Sequence, residues 1–210
     1  MTEPAFDNPR DWAGDLHKLV AEVSASSLEL PGSPLRFQHA GDSIILVQPN
    51  VAQASAWQDA LGATAFAETI LGMHWGALQP AEARIEGALA GLLERLMERR
   101  FPHSICRIGR GGLAVALAHG CRADDLGVRV NIGRPETESA LHAYFGEDPS
   151  RLLLTCKGHA HFALTNFIEY GGCFAATAIG RVTTGQFHLE WEKETLLSTH
   201  ACTNRPFLCE

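Results

Sequence analysis

The stretch Cys106-Arg107-Ile108-Gly109-Arg110-Gly111-Gly112-Leu113-Ala114-Val115-Ala116-Leu117-Ala118 decides the fold. The residues from His103 to Ile108 read as a strand, 109–112 as a glycine turn, and 113–120 as an Ala/Leu helix stopped by Gly120. A strand entering a helix through glycines leaves backbone N–H groups unpaired at the helix start. The helix dipole favours an anion there, and glycine lets a ligand come close. Arg107 and Arg110 add positive charge able to hold a phosphate by two prongs. A tight packing turn with two solvated arginines would show the same residues.

Upstream, Ser43-Ile44-Ile45-Leu46-Val47 follows a Gly-Asp turn and precedes Pro49, which predicts a buried strand. Over 80–100, Ile85, Leu89, Leu92, Leu93, Leu96 and Met97 recur every three or four residues, which predicts an amphipathic helix. Downstream, strands are expected at 128–132, 151–156, 174–182 and 187–191, with helices at 136–144 and 160–170. This alternation without a repeat predicts an α/β class, with a mixed α+β sheet in a layered sandwich. No internal linker divides the chain, so one domain over 16–197 is expected, after a loose lead-in at 1–15 and before a tail at 198–210.

A formal net charge of −7 argues against an extended nucleic-acid surface, which needs clustered positive charge. No apolar run reaches the roughly 20 residues that span a bilayer, and the start lacks the order of a signal peptide. The cysteines at 106, 121, 156, 173, 202 and 209 never form a C-x-x-C pair, as expected of reduced thiols in a cytoplasmic protein. His159 and His161 diverge if they open a helix, and His103 with Cys106 and Cys121 fits no zinc spacing, so no metal site is assigned. Trp12, Trp57, Trp75 and Trp191 are too scattered for a stacking platform.

The run 106–118 resembles the His-Asp-(Val/Cys)-Ser-(Asp/Glu)-Gly-Gly-Leu-Ala-Val-Ala-Leu-Ala segment of phosphoribosylformylglycinamidine synthase, in the C-terminal domain shared with aminoimidazole ribonucleotide synthase. Other stretches are similar in the same order. They are the Gly-Asp strand at 40–46, Leu61-Gly62-Ala63-Thr64-Ala65-Phe66-Ala67, Phe145-Gly146-Glu147 with Ser150-Arg151, and Ile179-Gly180-Arg181-Val182-Thr183. The resemblance implies that domain's fold, and a chemistry in which ATP activates a formamide oxygen that ammonia then displaces. Such chemistry needs magnesium, which prefers carboxylate and water oxygens.

The sequence departs from the family where that metal would be served. Arg107 and Arg110 replace acids, Cys106 and Gly109 replace His and Ser, and Ala63 and Ala65 stand for a Gly and a Glu. The resemblance also implies a preceding domain that supplies much of the ATP site, so a partner chain carrying it is expected, together with a homodimer. Arg107, Arg110, Gly111 and Gly112 are the candidate phosphate site, for ATP or another phosphorylated small molecule, and no catalytic residue is assigned. Glu147, Ser150 and Arg151 form a second candidate group, in which Glu147 and Arg151 could equally pair with each other or cap a strand end. A non-catalytic phosphate-binding regulatory module is the alternative. The tail Arg205-Pro206-Phe207-Leu208-Cys209-Glu210 resembles the Pro-Arg-Ile-Cys end of hydrogenase-maturation carbamoyl dehydratases, but Cys209 is penultimate and the residue order differs, so a tail thiol with no role is expected.

Overall fold

A computed structural model describes residues 11–30, 35–50, 61–77, 83–121, 125–133 and 139–200. Pro80, Trp57, Cys202, Cys209 and the tail motif lie outside them. The strands are β1 (Ser43–Pro49), β2 (Ser104–Arg107), β3 (Leu126–Ile132), β4 (Leu152–Cys156), β5 (Phe174–Thr184), β6 (Gln186–Trp191) and β7 (Glu194–His200). The helices are α1 (Trp12–Glu22), α2 (Ala83–Arg99), α3 (Gly112–Gly120), α4 (Ala140–Phe145) and α5 (His161–Glu169). The strands form one seven-stranded sheet in the order β2-β4-β1-β5-β3-β6-β7. Every neighbouring pair is antiparallel except β3 with β6.

Alternation along the central strands divides the core. Ile44 and Leu46 of β1 pack with α1, α3 and α4, while Ile45 and Val47 face α2 and α5. That explains why β1 is an unbroken apolar run, because both of its faces are covered. The expected α/β layered sandwich is the architecture found. Helix α2 buries Ile85, Leu89, Leu92 and Leu96, the stripe its period predicts, while Met97 stays partly exposed.

Helix α1 begins inside the stretch expected to be a loose lead-in. The Asp11 carboxylate accepts the Gly14 N–H at 2.9 Å, and Leu16, Leu19 and Val20 enter the core. Strand β7 is an addition that the sequence pattern does not predict. The register of β6 against β7 shifts between Leu189 and Glu190, and this bulge breaks the two-residue period along β7.

Candidate functional site

The glycine turn leaves β2 at Arg107 and enters α3 at Gly112. Gly112 N–H closes it onto the Gly109 carbonyl at 3.0 Å. Gly111 and Gly112 have φ of 84° and 72°, a backbone region that L side chains rarely adopt. A Cβ on Gly112 would lie 2.7 Å from the Phe145 backbone, so the end of α4 packs directly on the turn. Phe145 itself is stacked between Phe66, at 4.6 Å, and Trp12, at 5.2 Å. These contacts deliver the residue two places on, Glu147, to the mouth of α3.

Glu147 Oε1 accepts the Gly111 N–H at 2.7 Å and the Ala65 N–H at 2.6 Å. The turn and the Phe-Gly-Glu motif, which the sequence offers as two candidate groups, therefore meet at one carboxylate. The N–H groups of Gly111 and Gly112 are both engaged within the chain. Burial pushes the Glu147 carboxyl above the usual glutamate range. The two N–H bonds and the Arg110 charge pull the other way, and Glu68 adds to the rise.

The two arginines are placed differently. Arg110 is exposed and forms a 2.8 Å ion pair with Glu68, which sits in a π-helical turn at Ala67–Leu71. Arg107 is half-buried and reaches the Pro149 carbonyl at 3.4 Å. Ser150 is tied locally, its N–H donating to Asp148 Oδ1 at 2.8 Å and its hydroxyl to the same oxygen. Arg151 is buried, and its carbonyl accepts the Ile108 N–H at 3.0 Å, which joins β4 to the turn.

Sequence reading missed Glu68, and it treated Ala65 only as a lost carboxylate. The backbone N–H at position 65 survives any side-chain exchange, and it is that group which contacts Glu147. Cys106, where the resembling segment has His, is fully buried, and desolvation pushes its thiol up to about 12, so it is no thiolate nucleophile. His159 is exposed in a 3-10 turn, while His161 Nδ1 lies 2.6 Å from the Gly158 carbonyl. Among the described residues, no group of three or more His, Cys, Asp or Glu side chains converges to hold a metal. Nor is any helix among them long and apolar enough to cross a membrane.

Residues 39–192 match the family described as AIR synthase related protein, C-terminal domain. The chain belongs to that family. The phosphoribosylformylglycinamidine synthase subunit PurL of Beijerinckia indica is 31% identical over 164 residues, spanning 78% of this chain and 20% of the relative. The same subunit from Deinococcus radiodurans is 29% identical over 60% of this chain and 17% of its own length. The AIR synthase related domain described here thus spans about a fifth of the curated relatives it matches. The fold agrees with Thermotoga maritima PurL complexed with FGAR at a TM-score of 0.67 and 12% identity, covering 83% of this chain and 30% of that one. The hydrogenase maturation protein HypE gives a TM-score of 0.51 at 16% identity, covering 81% of this chain and 56% of that one.

Proposed function

We propose that this domain supplies the C-terminal half of an AIR synthase-type cleft in purine-nucleotide biosynthesis. On this reading it is inactive by itself and acts in ATP-dependent C–N ligation only beside an ATP-binding half. The observation that carries the proposal is the exchange of charge at the turn. Arg107 and Arg110 stand where a hard divalent ion would need carboxylates, and Glu147 is already bound to backbone N–H groups. The residues present do not fit magnesium, so any metal ligation belongs to the other half. Family membership and the fraction of each relative that is matched support the same reading. A cytoplasmic, homodimeric protein is part of the proposal, and light scattering on the purified chain tests the dimer.

The assay is ATP turnover with magnesium and a formamide-bearing ribonucleotide. The isolated chain is expected to match the enzyme-free control, and to gain turnover when a PurL ATP-binding half is added. Metal-dependent turnover by the chain alone overturns the proposal.

A second reading, a phosphate-binding regulatory module, is favoured by one observation. Arg107 remains at the turn with a long 3.4 Å contact to a carbonyl rather than an ion pair in that contact. Stabilisation by plain phosphate that disappears in Arg107→Ala supports that reading, whereas equal stabilisation of both proteins argues against it.

A further inference from the structure

Helix α5 is apolar on two opposite sides. Its inward residues Leu164 and Ile168 are buried in one cluster with Leu89 and Leu92 of α2 and Val47 of β1. At about 3.6 residues per turn, Phe162, Asn166 and the capping residue Tyr170 fall on the outward side. Phe162 is 69% exposed and Tyr170 is 95% exposed. A helix that is apolar all round is normally covered all round. The large hydrophobics exposed among the described residues are Met73, Met97, Phe162 and Tyr170, and all but Met73 belong to α2 or to α5 and its cap. This layer covers the side of the sheet opposite α3, so a body docked on it leaves the glycine turn free.

Charge and spacing decide what covers it. Ala163 and Asn166, between the two rings, are exposed and uncharged. Glu169 beside them accepts the Ala176 N–H of β5 at 3.3 Å, which draws its carboxylate toward the sheet. A chain of formal net charge −7 can meet its own copy only where carboxylates do not face carboxylates, and this stripe meets that condition. The stripe is also self-complementary. In a two-fold contact, residue i of one copy meets j of the other and j meets i. Phe162 and Tyr170 each lie four residues from Asn166. Two antiparallel α5 helices with the axis at Asn166 therefore set each Phe162 against a Tyr170, and each Asn166 amide can donate to the other's carbonyl. Large aromatic side chains bury roughly 150–250 Å² each, so two rings from each copy supply on the order of 600 Å², about half of what the smallest specific interfaces bury. Ala163, Asn166 and the half-buried Phe167 add to that area.

We infer that the outer face of α5 is the surface through which this chain pairs with a second copy of itself, α5 against α5 in antiparallel two-fold packing. The inference rests on the homodimer reading and names its surface. It is independent of the glycine-turn reading.

The test is analytical ultracentrifugation of the purified full chain over a concentration series, alongside Phe162→Asp, Tyr170→Asp, Asn166→Cys and Met73→Asp. Wild type should sediment as a dimer. Phe162→Asp and Tyr170→Asp should each raise the dimer dissociation constant at least about tenfold. Both side chains are exposed, so these variants should keep the wild-type far-ultraviolet circular dichroism. Met73→Asp, an exposed apolar position outside the α2–α5 layer, should leave the dimer unchanged. Under mild oxidation, Asn166→Cys should give a disulfide-linked dimer in excess of any formed by the 6 native cysteines of wild type. A monomer at every concentration overturns this surface together with the homodimer reading. A dimer of unchanged affinity in Phe162→Asp and Tyr170→Asp overturns the surface alone. A dimer weakened by both, with no cross-link beyond wild type in Asn166→Cys, overturns the antiparallel register.

Discussion

Glu147 carries a carboxylate into a largely buried place and satisfies two backbone donors from distant segments. Truncation to alanine leaves both N–H groups without that acceptor. Glu147→Ala should therefore cost about 2–3 kcal/mol in urea unfolding, with Glu147→Gln, which keeps a carbonyl acceptor, losing less. The pH dependence of stability separates both variants from wild type. A raised native pKa means that the folded state holds the proton more tightly than the unfolded state does. This contribution to stability is complete below the ordinary glutamate value of about 4.3 and is lost as pH rises through the native value. Glu190 acts in the opposite sense, its carboxyl lowered by the His188 hydrogen bond and by Arg129, so the readout is the difference between variants. Subtracting the Glu147→Gln profile from that of wild type should leave a stability decline with rising pH, and a flat difference would contradict the assignment. The sequence showed Gly111 and Glu147 as separate candidates because the bond joining them uses a backbone N–H, which no residue letter records.

At the scale of elements, α2 and β1 were legible because each has a regular relation to a covered face. The α2 stripe keeps a helical period, and β1 is apolar on both sides. Helix α1 was hidden by the prolines and charges before it, and it becomes intelligible through Asp11 at its start and the stacking of Trp12 on Phe145. Leu92→Ala in α2 should destabilise by about 2–5 kcal/mol, because its side chain is fully enclosed. Gly112→Ala tests the turn itself. Its positive φ alone should cost about 1–3 kcal/mol, and displacement of the Phe145 backbone should add to that. Unfolding midpoints close to wild type for Gly112→Ala would mean that α4 does not press on the turn.

For the molecule as a whole, the fold was readable from collinear motifs, while the chemistry was readable only as a set of exchanged residues. Charge reversal at Arg107 and Arg110 stands in the sequence itself, but its consequence depends on Glu68 and Glu147, which three-dimensional packing brings to the turn. A carboxylate on backbone N–H groups and an arginine paired with a glutamate form an internally neutralised mouth. Such a mouth has little to offer a metal–nucleotide complex, whose magnesium looks for oxygen donors. The most direct measurement is the thermal midpoint of the purified chain with ATP, in the presence and absence of magnesium. The account predicts that magnesium adds no stabilisation beyond that given by ATP alone, and a midpoint raised by ATP only when magnesium is present would contradict it.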